Sequence, residues 1–477
     1  MNSSPTHKQK IYTYFEAVAP WCTKWKKKSR YYQKSLEALF QFLVPKHCSV
    51  LEIGCGTGEL LAAVNPSRGT GIDISPRMVK IAQKQHPHLE FYAMDAENIT
   101  LNTAYDYIIL SDTISFLSDI ERALREVQKI THPRSRIIIN YYNYLWEPLL
   151  ALAELLRLKM PLPRQNWVTT ADIENLLYIT GFESVRKLEL VLIPFYIPII
   201  SSLVNKYAAR LPLIKNFCLV YCLVARPMPQ ARASFSNKQH SVSVIVPARN
   251  EAGNIEQIVK SIPRMGFRTE VIFVEGHSKD GTLNEIKRVQ GAYPYKDIKI
   301  FTQDGEGKGD AVRRGFREAS GEILMILDAD LSVQPNDLTK FYDALTQGAG
   351  DFINGSRLVY PLQKESMRFL NILGNKFFSI MFSWLIEQKI KDTLCGTKVL
   401  WREDYEKIRA GRHFFGEFDP FGDFDLLFGA SKLNLKIIDL PVRYYPRVYG
   451  KTNISRFAHG WLLLRMCVFA MRKIKFI

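Results

Sequence analysis

The sequence predicts an α/β chain of two domains, each built on an open, largely parallel sheet, and three observations predict it. Short apolar segments ending in acidic residues recur in two separate runs, the first opening with SVLEIGCGTG and the second with SVSVIVPARNE. Between them, RPMPQARASFSNKQH is rich in proline, serine and polar residues and lacks periodicity, as a domain boundary does. The length of 477 residues fits roughly two to four domains. The boundaries read as a basic aromatic arm over 1–36, a first domain over 37–227, a linker over 228–240, a second domain over 241–455 and a basic apolar helix over 456–477.

The hydrophobic fraction of 47% against 23% charged residues is that of a globular chain with ample core. A net charge of +17 points to anionic partners. The cations concentrate at the two ends. Lys8, Lys10, Lys24, Lys26, Lys27, Lys28, Arg30 and Lys34 are interleaved with tyrosines and tryptophans, and no acid follows Asp439. Such pairing suits an anionic bilayer interface or a solvated basic face. The seven cysteines form no CxxC pair, so a reducing cytoplasm is expected, and MNSSPTHKQKIYTYF is too polar for a signal peptide. The longest apolar stretch, 190–204, falls short of the ~18 residues of a membrane span. The expected location is therefore cytoplasmic, peripheral on the cytoplasmic membrane face.

In the first domain, Val50 to Ile53 reads as a strand with Glu52 near its end, and Gly54, Gly56 and Gly58 form a loop that opens a helix. Side chains there would keep a ligand from the backbone. GTGIDIS is a second strand ending in Asp73, fifteen residues after Gly58, where an acid can bridge two ribose hydroxyls. LEFYAMDAENI ends a third strand in Asp95, and YDYIILSD a fourth in Ser111 and Asp112. Ser75 with Pro76 starts one helix, and Ser118 is expected to cap another. Trp146 to Lys159 and Thr170 to Thr180 read as helices, and SVRKLELVLIP and FCLVYCLVAR as closing strands around an apolar insertion, FYIPIISSLVNKYAARLPLIKN. That insertion fits a lid, a membrane-dipping surface or a buried helix pair equally.

Through LEIGCGTG and its strand-end acids this domain resembles the class I S-adenosylmethionine-dependent methyltransferases, which implies a Rossmann-like sheet. The resemblance places Glu52, Gly54, Gly56 and Gly58 at the methionine end of S-adenosyl-L-methionine, Asp73 at the ribose and Asp95 at the adenine amine, with Ser111 in the same cofactor set.

In the second domain SVSVIVPARNE is a strand followed by a helix with Ile255, Ile258, Val259 and Ile262 on its apolar face, EVIFVEGHSKDGT a second strand closing on Glu275, and IKIFTQ a third. Then QDGEGKGDAVRRGFREASGEILMILDADLS places Lys308, Arg313 and Arg314 in a glycine-opened helix, followed by a buried strand ending in Asp328 and Asp330. Two carboxylates one residue apart at such a strand end supply part of the coordination of Mg2+ or Mn2+ beside a diphosphate, and the basic helix supplies charge partners for the same phosphates.

VPARNE, VEGHSKDGT, GKGDAVRRGF and DADLS, in this order, resemble the family 2 glycosyltransferases of the GT-A fold, in the branch of the dolichyl-phosphate mannose synthases. The resemblance implies transfer from a nucleotide sugar to a lipid-phosphate or glycan acceptor. It places Pro247, Asn250, Glu251, Glu275, Lys308, Arg314 and Asp328 at the nucleotide sugar and Asp328 with Asp330 at the metal. Asp423 and Asp425 of FGDFD become candidate bases for a hydroxyl acceptor, and Arg443, Arg447 and Lys451 candidate contacts for an acceptor phosphate. Where the family usually has two adjacent acids, this chain has Glu275 followed by Gly276 and His277. Two competing readings make the first half a binding module only, or an RNA methyltransferase with an accessory domain. The missing RNA-binding signature argues against nucleic acid as a partner.

Overall fold

A computed structural model describes residues 6–229, 239–360, 369–412, 422–447, 449 and 456–476, with the side chains of 369–373, 423 and 456–459 outside that description. The chain divides into two compact units, the first reaching from the amino terminus to Met228 and including Phe476, the second from Pro229 to Lys475.

The first unit starts with two helices, α1 (His7–Lys28) and α2 (Arg30–Leu43). The stretch read as an arm is thus folded onto the domain. Ala19 and Cys22 of α1 are buried with Met78, and a reciprocal Thr6–Gln9 capping box fixes the start of α1. The sheet has the order β3-β2-β1-β4-β5-β7-β6, with β1 (Ser49–Ile53), β2 (Arg68–Asp73), β3 (Glu90–Ala93), β4 (Tyr107–Ser111), β5 (Arg136–Tyr142), β6 (Phe182–Leu190) and β7 (Val220–Pro227). β1 to β5 pair in parallel, and β7 inserts antiparallel between β5 and β6. Strand order reverses between β1 and β4, which puts a ligand crevice at the carboxyl ends of those two strands.

Two local expectations change. Asp119, and not Ser118, caps the helix Ile120–Lys129, because its side chain accepts from Arg122 N at 2.9 Å while Ser118 N is held by Glu97 at 2.8 Å. The helix expected from Trp146 to Lys159 runs only from Glu147 to Leu155; Arg157 adopts a left-handed φ of 55° that breaks it. In the apolar insertion, helix Ile200–Lys206 is followed by single 3-10 turns.

The second unit has the sheet order β10-β9-β8-β11-β13-β12-β14, with β8 (Val242–Ala248), β9 (Thr269–Glu275), β10 (Asp297–Thr302), β11 (Ile323–Ile326), β12 (Phe352–Ser356), β13 (Lys398–Trp401) and β14 (Ile437–Pro441). β8 to β11 are parallel, whereas β13 runs antiparallel to both β11 and β12. Val244, Val246, Phe273, Met325 and Val399 fill the core between sheet and helices. Two apolar helices, Phe369–Ile386 and Arg456–Ala470, pack against each other. Among the described residues no helix is long and apolar enough to cross a membrane.

Candidate functional site

In the first unit the glycine loop is pinned to the sheet by two bonds to one carbonyl. Gly54 N and Cys55 N donate to Ile72 O at 2.8 and 3.0 Å. Gly54 has a φ of 73°, and a Cβ there would run into Thr113, so only glycine fits. Asp73 accepts from Gly56 N at 2.8 Å and from Ser75 N at 2.9 Å, which fixes the loop against the end of β2. Glu52, Gly54, Gly56, Asp73, Asp95 and Ser111 all line one cavity of about 1120 Å3. Gly58 stands behind it as the N-cap of α3 (Glu59–Val64).

Glu52 carries the most informative electrostatics of this cavity. It is buried, its Oε2 has no hydrogen-bond partner, and burial pushes its carboxyl up to about 8. A buried acceptor without a partner at the floor of a crevice is what a ligand ammonium completes. The donor set therefore fits the methionine end of S-adenosylmethionine. Two cations from α1 guard the same crevice: Lys8 bridges Asp95 and Glu97 at 2.6 Å each, and Lys26 pairs with Glu59 at 2.6 Å.

On the other side of the loop stands Asp112, which the sequence marks as a strand-end acid while leaving its partners unmarked. Tyr32 of α2 donates to Asp112 Oδ2 at 2.8 Å, and Asn140 Nδ2 to its Oδ1 at 2.6 Å. Asp112 has a φ of 52°, and burial raises its carboxyl to about 6.

In the second unit, Lys308 at the start of the helix Lys308–Glu318 lies 2.6 Å from Asp328 Oδ1. Burial alone would raise Asp328, but Lys308, with Arg357 and Lys398 behind it, holds it below the usual carboxylate range. Asp330 Oδ1 accepts from Ser332, and its Oδ2 lies 3.0 Å from Arg447, whose other nitrogen is 2.6 Å from Glu251. Burial, reinforced by Asp330, pushes Glu251 up to about 6 against the pull of Arg447. Two carboxylates with the remaining positions left to phosphate and water form a donor set that fits a hard divalent cation. Among the described residues no group of three or more metal-ligating side chains forms a complete cage.

The other expected residues sort as follows. Asn250 ties the β8 and β9 loops together, its Oδ1 accepting from Lys279 N at 2.8 Å, and Glu275 Oε1 accepts from Ser278 N at 2.5 Å within the β9 loop. Pro247 lies in β8, in register with Val274. Arg314 is turned to Asp304 and Glu318, at 3.4 and 3.2 Å. Arg443 lies over the Tyr360 ring at 5.1 Å. Asp425 pairs with Arg412 at 3.2 Å in a crevice lined by Phe316, Tyr405 and Ile408. Lys451 and the side chain of Asp423 lie outside the described residues. Sequence reasoning missed the bidentate pair of the largely buried Arg357 with the fully buried Asp392, at 2.7 and 2.9 Å, which braces the end of β12.

Comparison with known proteins agrees with this division. Residues 243–409 match the family model described as Glycosyl transferase family 2, and residues 25–187 match that of a Methyltransferase domain. The second unit is similar to the glycosyltransferase AglJ of Haloferax volcanii, 28% identical over 47% of this chain and 69% of the relative. It is similar also to a dolichol-phosphate mannosyltransferase of Pyrococcus furiosus, 30% identical over 45% of this chain and 59% of that protein. Among solved structures, a SAM-dependent methyltransferase of Thermotoga maritima covers 46% of this chain and 99% of its own at 20% identity, with a TM-score of 0.36.

Proposed function

We propose that this chain, whose residues 25–187 match a methyltransferase domain and 243–409 glycosyl transferase family 2, is a bifunctional enzyme. Its second unit moves a sugar from a nucleotide-sugar donor to a lipid-phosphate or glycan acceptor. Its first unit uses S-adenosylmethionine to methylate a glycan, glycolipid or small molecule.

The observation that carries the reading is the arrangement at the end of β11, where Asp328 and Asp330 stand beside Lys308 and Arg447. Asp328 and Asp330 would hold Mg2+ or Mn2+, which would supply charge for a departing diphosphate. Lys308 at a helix amino terminus adds a cation and backbone N–H groups aimed the same way. The mannosyltransferase among the relatives is named for dolichol phosphate, which supports a lipid-phosphate acceptor. A phosphate nucleophile is already anionic and needs no base, whereas a glycan hydroxyl needs one, the role proposed for Asp423. Attachment to an anionic membrane surface is supported by exposed Phe377, Ile380, Trp461 and Val468 on the two apolar helices of the second unit, near Arg465 and Lys473.

Replacing Asp330 by alanine tests the assignment. Donor-dependent sugar transfer and nucleotide-sugar hydrolysis are expected to fall by about two orders of magnitude or more, with S-adenosylmethionine binding unchanged. Transfer at the wild-type rate would sink the metal-diphosphate role.

A further inference from the structure

The cavity of the first unit is larger than its cofactor residues require. At about 1120 Å3 it exceeds the roughly 300–1,000 Å3 that buries one drug-sized ligand. A second molecule therefore has room beside a cofactor at Gly54, Gly56, Asp73 and Asp95. The walls of this extra space divide by polarity. At the inner end stands Asp112, one residue beyond β4 and next to Thr113, which bonds the glycine-loop strand through Ile53 O at 3.0 Å. Tyr32 and Asn140 hold both its oxygens. The nearby ammonium of Lys159 is taken up by Glu154 at 2.6 Å. An anionic head would meet the Asp112 carboxylate unfavourably, and a hydroxyl can donate to it.

At the outer end the lining is apolar and in water. Leu149, Leu152, Leu156, Leu158, Phe195 and Tyr196 line the cavity and are at the same time 51–67% exposed. Leu155 of the same helix and Ile199, Ile200, Leu203, Leu213 and Phe217 of the same insertion are likewise exposed. The pieces are fixed to one another: Trp146 Nε1 donates to Phe217 O at 2.9 Å, Asn205 Nδ2 donates to Tyr31 OH at 3.1 Å, and the Tyr31 and Tyr196 rings lie 5.8 Å apart. A contiguous apolar face of this kind marks a contact surface. Its charge suits a bilayer, because from Val191 to Phe217 there is no acid, Lys215 is paired with Glu189 at 2.9 Å, the Arg210 Nε is buried, and Lys206 is the exposed cation of the segment.

We propose that the methyl acceptor of this unit is a membrane lipid with a hydroxyl-bearing head, which sits at the Tyr32–Asp112 pair while its hydrocarbon chain leaves past Leu152 and Phe195. The apolar rim rests on an anionic bilayer, from which the lipid enters without crossing water. The inference rests on the methyltransferase reading of the same cavity.

The test uses the full chain with the exposed Ile380 and Trp461 of the second unit replaced by glutamate in every sample, so that its apolar helices do not hold the vesicles, and compares it with and without the double substitution L155E/L213E, at positions 79% and 82% exposed that do not line the cavity. Sedimentation with vesicles of phosphatidylglycerol and phosphatidylcholine in equal parts is expected to show about tenfold weaker partitioning for the variant. Calorimetric affinity for S-adenosylmethionine stays at the wild-type value. A second arm titrates sub-micellar dodecyl maltoside, a hydroxyl head on one alkyl chain. It is expected to bind the parent protein and to bind A153W, which fills the lipid channel, at least fivefold more weakly. Unchanged vesicle binding in L155E/L213E, or a protein that binds S-adenosylmethionine but gives no heat with dodecyl maltoside, overturns the lipid acceptor. Concentration-dependent dimerisation lost in L155E/L213E, with vesicle binding intact, assigns the face to a second copy and overturns it too. Absent S-adenosylmethionine binding with the vesicle effect preserved strikes the methyltransferase reading instead.

Discussion

Arg447 reaches Asp330 at 3.0 Å while its other guanidinium nitrogen holds Glu251 at 2.6 Å. One side chain from beyond the last strand thus neutralises two acids at the carboxyl ends of β8 and β11. The sequence assigns Arg447 to an acceptor phosphate; in the structure it pairs with Glu251 and Asp330, acids of the proposed donor site, where it would compete with a metal ion for Asp330 and could follow a diphosphate once a metal is bound.

Arg447→Ala is therefore expected to separate two affinities. Mn2+ binding without nucleotide should strengthen severalfold because Asp330 is freed, while nucleoside diphosphate binding with Mg2+ weakens about tenfold, the value of one charge-assisted hydrogen bond. Because the guanidinium is partly exposed, the stability cost is only about 1–2 kcal/mol. Calorimetry with each ligand and a thermal melt check this. Equal losses for metal and nucleotide would make Arg447 a purely structural brace.

Glu52 gives a proton-linked prediction. With its carboxyl at about 8 against an ordinary 4.5, it is mostly protonated at neutral pH in the free protein. Completion by a ligand ammonium requires the ionised form, so S-adenosylmethionine binding at pH 7 should release close to one proton. Titration in buffers of different ionisation enthalpy measures it, and Glu52→Gln should abolish the release. The same raised value makes the stability contribution of Glu52 fully present below about pH 4.5 and lost as pH rises through about 8.

How much of this was legible follows from sequence separation. Glu52, Asp73, Asp328 and Asp330 announce themselves because a parallel strand and the turn after it are contiguous in the chain. The antiparallel entry of β13 between β11 and β12 leaves no such local mark. Neither does the Tyr32–Asp112 bond, which joins residues 80 positions apart and depends on α2 folding back over the sheet. The basic residues of α1 read as an arm because their partners are also far along the chain, 33 positions for Lys26–Glu59 and 87 for Lys8–Asp95. Ser118 lost its cap to Asp119 by a one-residue difference in where the helix turns, which propensity does not resolve.

The Arg357–Asp392 pair predicts a large, local stability effect. Burial would raise Asp392, yet Arg357 and Asn375 hold it well below the ordinary carboxylate range. Arg357→Ala leaves that carboxylate buried without its counter-ion and is expected to cost about 3–5 kcal/mol. Arg357→Lys keeps the charge but loses the fork, and should recover only part of it. The pair's contribution is fully present above the ordinary value of 3.8 and lost as pH falls through the depressed one. Urea unfolding of the variants at neutral pH measures the cost, and a change under 1 kcal/mol would refute the account.

The two acids of FGDFD are expected to behave differently. Asp425 is committed to Arg412 beneath Tyr405 and Ile408, so Asp425→Asn should lower stability by about 1–2 kcal/mol and leave kcat within roughly twofold. Asp423 opens the helix Asp423–Lys432, and the preceding Gly422 packs so closely on Gly309 that a Cβ would lie 2.8 Å from the Gly309 Cα. That contact sets the start of the helix beside Lys308, the residue that meets Asp328. If Asp423 takes the proton of a hydroxyl acceptor, Asp423→Asn lowers kcat about 10²- to 10⁴-fold with a glycan and leaves transfer to a polyprenyl phosphate nearly unchanged, since the phosphate brings no proton to remove. Equal loss with both acceptors would assign Asp423 to donor binding, and no loss with either would remove it from the reaction.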